Sequence, residues 1–258
     1  MLAYESHGTG EPIVFIHGSL MASTFATLVA EPPLAGYRRI TYDRRGYGRS
    51  PRVDRGMTFA EHAADCAALL HHLGIERAHV VGHSFGGSIA LQLALDAPSL
   101  VATLSVLEPG LFVGTTAESY RAAIAENHRR YREAGAAVVV DEFLRPRFGE
   151  GWRDRLDPTL TAEALENAGF CFEHELPAAA PVGEVDLARI HQPVLAVLGD
   201  ASDALWARFG ETYRVLLRAV PDVRGFILPR ATHALQLDNP TDFAAALGDF
   251  LTRHPIAR

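Results

Sequence analysis

Gly82-His83-Ser84-Phe85-Gly86 is the segment of this chain with the clearest capacity for covalent chemistry. It follows an apolar run, Ala78-His79-Val80-Val81, and opens a helix-like stretch over residues 89–95. Gly-x-Ser-x-Gly between a strand and a helix is the sharp turn that presents a nucleophilic serine. The serine of such a turn is strained, and its neighbours two positions away must be small, which accounts for Gly82 and Gly86. The turn also sets the hydroxyl at a helix N-terminus, where partial positive charge favours a developing anion. A glycine-rich turn with an idle serine would share the pattern but not the strand before it and the helix after it.

A serine hydroxyl is a weak nucleophile at neutral pH and needs a base, usually a histidine oriented by a carboxylate. Around this kind of turn the chain order is serine, acid, histidine. His233 directly follows an apolar run at 225–228, so it falls late and at a strand end. His254 comes after the last helical pattern, and His191 precedes a strand and so falls at the wrong end of a sheet. His233 is the expected base.

These groups need a frame. Apolar runs at 13–16, 78–82, 101–107 and 193–198 read as strands buried on both faces, with weaker strands at 2–6, 38–42 and 225–228. Helical patterns lie between them. One opens at Thr58 with Glu61 completing a capping box and stops at Gly74. Others fall near 204–219 and 240–253. Alternating strands and helices with apolar strands predict an α/β fold: a doubly wound, mostly parallel sheet. The rhythm breaks between 110 and 186, where helical periodicity recurs near 117–134, 136–148 and 161–173. That stretch holds eight arginines and many acids, so its outer face is expected to be solvated. The expected organisation is a core of 1–109 and 187–258 with an inserted helical lid at 110–186.

With these parts in hand, the chain resembles the α/β-hydrolase superfamily over most of its length. The resemblance rests on His17-Gly18 after a strand, the 43–50 loop with Arg44, Gly46, Gly48 and Ser50, the Ser84 turn, the inserted lid and His233. It implies a serine hydrolase acting on a carboxylic ester or lactone of a small, largely apolar substrate. It also implies an oxyanion hole from the backbone N–H groups of Phe85 and Ser19, leaving both side chains to shape the pocket, and a bracing role for His17. The acid departs from the usual pattern. Members resembling this chain carry it as Gly-x-x-Asp after the strand that follows the lid, but Gly199-Asp200-Ala201-Ser202 puts a serine there. Asp203 lies one residue late. Glu108, closing the strand before the lid, matches the other placement known in the superfamily and is the favoured acid, with Asp203 the alternative. A carboxylate closing an apolar strand is costly unless paired, and a histidine would pair it. Among the lid aromatics, Trp152, Phe172 and His174 are candidate substrate-binding residues.

Ser84 excludes the superfamily branches that need an aspartate nucleophile. Carbon–carbon bond hydrolysis, a lyase or cofactor-free haloperoxidase activity, and a non-catalytic small-molecule receptor remain open as alternatives. No cofactor is expected, since no phosphate-binding glycine loop or metal-ligand spacing is present. All 24 basic residues are arginine, and acids outnumber them, giving a net charge of −7, which argues against a nucleic-acid partner. Two cysteines with no framework spacing suit a reducing compartment. With no signal-peptide pattern and no long apolar run, the expectation is a cytoplasmic protein with a small-molecule substrate and no membrane partner. A homodimer is left open.

Overall fold

The computed structural model describes residues 1–179 and 184–256. Residues 180–183 of the expected lid lie outside the described residues. Seven strands form one sheet: β1 Tyr4–His7, β2 Pro12–Ile16, β3 Arg38–Tyr42, β4 Ala78–His83, β5 Val101–Leu107, β6 Val194–Gly199 and β7 Val223–Leu228. Their spatial order is β1-β3-β2-β4-β5-β6-β7. Only β1 runs antiparallel, pairing Tyr4 with Tyr42; the other pairings are parallel.

The period of two along each strand divides the core. Val14, Ile16 and Val80 point to one face, where they join Cys66 and Leu70 of α2 (Phe59–His72) and Ile89 of α3 (Phe85–Asp96). Ile13, Phe15 and Val81 point to the other, against α1 (Ala26–Val29) and α12 (Pro240–Thr252). The α2 capping box forms as the sequence predicts: Thr58 Oγ1 accepts from Glu61 N at 3.2 Å, and Glu61 Oε2 accepts from Thr58 N at 2.9 Å.

Between β5 and β6 the chain builds helices rather than strands: α4 Ala117–Ala134, α5 Ala136–Phe148, α6 Trp152–Arg155, α7 Pro158–Glu166, a π-helical turn at Phe170–Glu175, and α8 Glu184–Leu187. The helical stretch expected at 161–173 is thus two elements, broken around Gly169. The stretch expected near 204–219 also divides, into α9 Ser202–Leu205 and α10 Arg208–Ala219, and α11 Leu235–Asp238 precedes α12. Among the described residues no helix is long and apolar enough to cross a membrane.

Candidate active site

The turn between β4 and α3 is as tight as its glycines demand. Ser84 sits at φ 53° and ψ −120°, a region that costs about 1–3 kcal/mol and persists only where the surroundings impose it. A Cβ on Gly82 would stand 2.4 Å from Gly86 O, and one on Gly86 would stand 2.1 Å from Ile16 O. The strand ladder and the helix start hold the serine in place, with Ser84 N–H donating to Leu107 O at 2.9 Å.

Glu108 leaves β5 with φ 44°, a second positive-φ residue beside the first. That twist aims its carboxylate across the end of β6. Oε1 accepts from Gly199 N–H at 2.8 Å, and Oε2 accepts from His233 Nδ1 at 2.5 Å. The opposite ring nitrogen, His233 Nε2, accepts from Ser84 Oγ at 2.9 Å. One connected line therefore runs from Glu108 through His233 to Ser84. Glu108 and His233 are buried, while Ser84 is partly exposed.

Asp203 takes no part in this line. Its carboxylate faces Arg214 at 3.6 Å and packs against Gly210. Asp200 instead ties down the loop before His233, accepting from the N–H groups of Arg230 and Ala231. Ser202 is buried, and its hydroxyl stands beside the Glu108 carboxylate without completing a hydrogen bond.

His233 is gripped from several sides. Its N–H donates to Arg147 O at 3.2 Å, and its C=O accepts from His83 Nε2 at 2.8 Å. Phe209 stacks on its ring at 4.2 Å, and Phe148 stands at 6.1 Å. Burial first, then the positive charges of Arg147 and Arg208, hold its pKa well below the ordinary 6.5. That direction favours the neutral ring, the form that can take a proton from Ser84. Burial raises Glu108 to about 7, against the Ser202 hydroxyl and the Gly199 N–H, which favour the carboxylate.

The His17-Gly18-Ser19 loop lies directly on Ser84: a Cβ on Gly18 would come 3.2 Å from Ser84 Cβ. A buried ionic cluster braces it from behind. Arg44 donates to His17 O at 3.1 Å, to Gly18 O at 2.9 Å and to Glu175 Oε1 at 2.5 Å. Glu175 Oε2 accepts from Ser19 Oγ and from Tyr47 Oη, each at 2.6 Å. His17 donates from Nδ1 to Gly18 O and accepts Arg44 N–H at Nε2, which is the bracing role the resemblance implied. Burial opposes the Arg44 charge, but Glu175 and Tyr47 outweigh it and its pKa is raised.

The side chains of the two expected oxyanion-hole residues are not free to shape a pocket. The Phe85 ring packs on Phe59 at 4.7 Å in the core, and the Ser19 hydroxyl is held by Glu175. Among the described residues no partner engages the Ser19 N–H. A buried indole N–H needs an acceptor, and Trp152 finds one in Asp141 at 3.1 Å, with Arg153 stacked on its ring. It therefore fastens α6 to α5. Phe172 packs between Tyr131 and Phe143, and His174 lies beside Phe170 against the Gly56 segment. None of these three makes a ring contact or hydrogen bond with His233 or Ser84.

Sequence reasoning overlooked Arg147, Arg208 and Phe209 beside His233, and Trp206 and Tyr120 packed behind Phe209. The signal for the arginines was present. Val140, Phe143, Leu144, Arg147 and Phe148 share the buried face of α5, and Arg208 shares that of α10 with Thr212, Val215 and Leu216. An arginine on an apolar stripe departs from the solvated-face expectation.

The sequence pattern of the alpha/beta hydrolase family matches residues 13–246. The chain belongs to the alpha/beta hydrolase family. A Variovorax paradoxus protein named as a carbamate hydrolase is 31% identical, over 98% of this chain and 96% of its own. The dihydrolipoyllysine-residue acetyltransferase component of an acetoin cleaving system from Cupriavidus necator is 28% identical over 93% of this chain, which spans 63% of that protein's length. Among solved structures, an enol-lactonase of Burkholderia xenovorans superposes with a TM-score of 0.82 at 22% identity, covering 97% of this chain and 96% of that one.

Proposed function

We propose that this protein is a serine hydrolase that cleaves a carboxylic ester or lactone of a small molecule through an acyl-enzyme. The observation that carries this reading is the unbroken Ser84–His233–Glu108 line. Ser84 Oγ attacks the carbonyl carbon while its proton passes to His233 Nε2. Glu108 accepts from Nδ1–H and stabilises the imidazolium that forms. The tetrahedral oxyanion is held by the N–H groups of Phe85 and Ser19; such donors each contribute about 2.7–4 kcal/mol at the transition state. The carbon–oxygen bond to the leaving alkoxide then breaks, and that oxygen takes the proton from His233. Water gives a proton to His233 and attacks the acyl carbon; the bond to Ser84 Oγ then breaks, Oγ takes that proton back from His233, and the acid leaves.

Phe209 and Phe148 stand against His233, with Trp206 on Phe209 and Tyr120 on Trp206, an aromatic surround that fits a largely apolar acyl or alcohol group. The Arg44–Glu175 cluster keeps the Ser19 loop in register without touching substrate. The test is hydrolysis of p-nitrophenyl butyrate by the wild type and by Ser84→Ala. The expected loss is at least about 10⁴-fold in kcat, with disappearance of fluorophosphonate labelling. Retained labelling and turnover in Ser84→Ala would sink the reading.

A further inference from the structure

Two buried cations beside His233 touch none of the reacting atoms in the acyl-transfer steps. Arg147, 6% exposed, lays its guanidinium over Phe143 at 3.6 Å and Trp206 at 4.4 Å. Arg208, 2% exposed, lays its own over Tyr120 at 3.5 Å and Trp206 at 5.6 Å. Both therefore face one indole. Each makes a backbone contact, Arg147 to Phe143 O and Arg208 to Leu111 O. Arg208 Nε is buried without a partner. Among the described residues neither guanidinium has a carboxylate within 4.0 Å; Glu211, the acid that acts on Arg208 from a distance, is committed to Thr115 and Thr116.

Taking a cation out of water costs several kcal/mol unless an anion and hydrogen bonds compensate it. Here two cations are buried together, and aromatic faces return only part of that cost. The pair also borders the reacting centre. Gly110 N–H donates to Ser84 O at 3.2 Å, and a Cβ on Gly110 would lie 3.3 Å from Tyr120 Oη and 4.0 Å from Phe85 N. The Tyr120 ring under Arg208 thus adjoins the Phe85 side of the oxyanion hole.

We propose that the substrate of this site carries a carboxylate, which Arg147 and Arg208 bind as the missing counter-anion while Ser84 attacks a neighbouring ester or lactone carbonyl. This rests on the serine-hydrolase reading. The two guanidiniums present planar N–H forks suited to a carboxylate, and the aromatic rings around them hold the apolar remainder of the molecule. The anion fixes the carbonyl relative to Ser84 and neutralises the field that the pair exerts on His233.

The test compares monomethyl glutarate with methyl butyrate, followed by proton release. Wild type should favour the anionic ester in kcat/KM by at least about tenfold, and Arg147→Gln and Arg208→Gln should each cut that preference by about 10- to 100-fold, whatever their rate on the neutral ester. Arg208→Lys, which keeps the charge, should retain part of it and covers the case in which a glutamine variant fails to fold. A wild-type ratio at or below one, or a ratio that no arginine variant changes, overturns the proposal. If neither ester is cleaved and fluorophosphonate does not label Ser84, the serine-hydrolase reading fails by itself. Calorimetry with glutarate on the native chain then decides the anion site: saturable binding lost in Arg147→Gln supports it, and no binding overturns it.

Discussion

Three arginines are almost fully buried within reach of the same active site, and they are treated in two opposite ways. Arg44 has Glu175 at 2.5 Å and donates to two backbone carbonyls of the loop it supports. Arg147 and Arg208 have aromatic faces, one backbone acceptor each and no carboxylate within ion-pair distance among the described residues. The first charge is held up by its partner, whereas burial pushes Arg147 down to about 10 and lowers Arg208. Burial alone does not tell whether a charge serves the fold or the site. A compensated charge fixes a geometry, and an uncompensated one is left to complete a contact with something that arrives.

The sharpest way to break the comparison is to make Arg44 like the other two. Glu175→Leu strands the Arg44 charge and frees Ser19 and Tyr47. It should destabilise the fold by about 3–5 kcal/mol, read by urea denaturation. Adding Arg44→Met should recover much of that loss, because the cost lies in the unpaired charge rather than in the missing bond. Equal loss in the single and double variants would mean that the hydroxyl contacts of Glu175, not its charge, hold the loop.

The opposite sign is expected on the other side. Arg208→Met removes an uncompensated cation, so stability should rise by about 1–2 kcal/mol while selectivity for an anionic ester falls. A destabilised Arg208→Met would show that the stack on Tyr120 is structural and would erase the distinction drawn here.

The two clusters also differed in how legible they were. Ser84 and His233 announce themselves through local pattern: the glycine spacing is a steric requirement of one turn, and His233 directly follows a strand. Glu108 was readable only because the usual acid position held Ser202. That serine now stands beside the Glu108 carboxylate. The sheet was legible too, since β2, β4, β5 and β6 are apolar runs with turns at both ends. The Arg44–Glu175 pair joins residues 131 positions apart through a π-helical turn, and no local spacing signals it. Arg147 and Arg208 lay on apolar stripes; for Arg147 the high arginine content of the insertion drew attention to its solvated face, and Arg208 opens a helix of the core outside that insertion. The contacts of Trp152 were illegible for a related reason. Aromatic content marks burial and cannot say which side of a helix provides the indole's acceptor.

A smaller effect supplies the reference for these measurements. Thr58→Ala removes the capping box of α2, a helix that meets the Arg44–Glu175 cluster through His62 but makes no side-chain contact with Arg147 or Arg208 among the described residues, and should cost about 1 kcal/mol with no change in ester selectivity. A selectivity change there would mean that global loosening imitates loss of the anion site.

The smallest expected effect concerns pH. His233 is faced by Glu108, by the His83 ring at 4.8 Å and by the fields of Arg147 and Arg208. Catalysis needs His233 neutral and Glu108 ionised, so kcat/KM falls on the acid side as the pair takes up a proton, in a limb that belongs to the pair jointly. The guanidiniums oppose that proton. Removing either charge makes protonation easier, which raises the pKa of every nearby group. In Arg147→Gln, measured on methyl butyrate to avoid the anionic contact, the acid limb should therefore move to higher pH. At a fixed pH just below neutral the variant loses activity that it regains as pH rises. A limb that stays in place, or moves down, would show that burial alone keeps His233 neutral and that the two cations act only on the substrate.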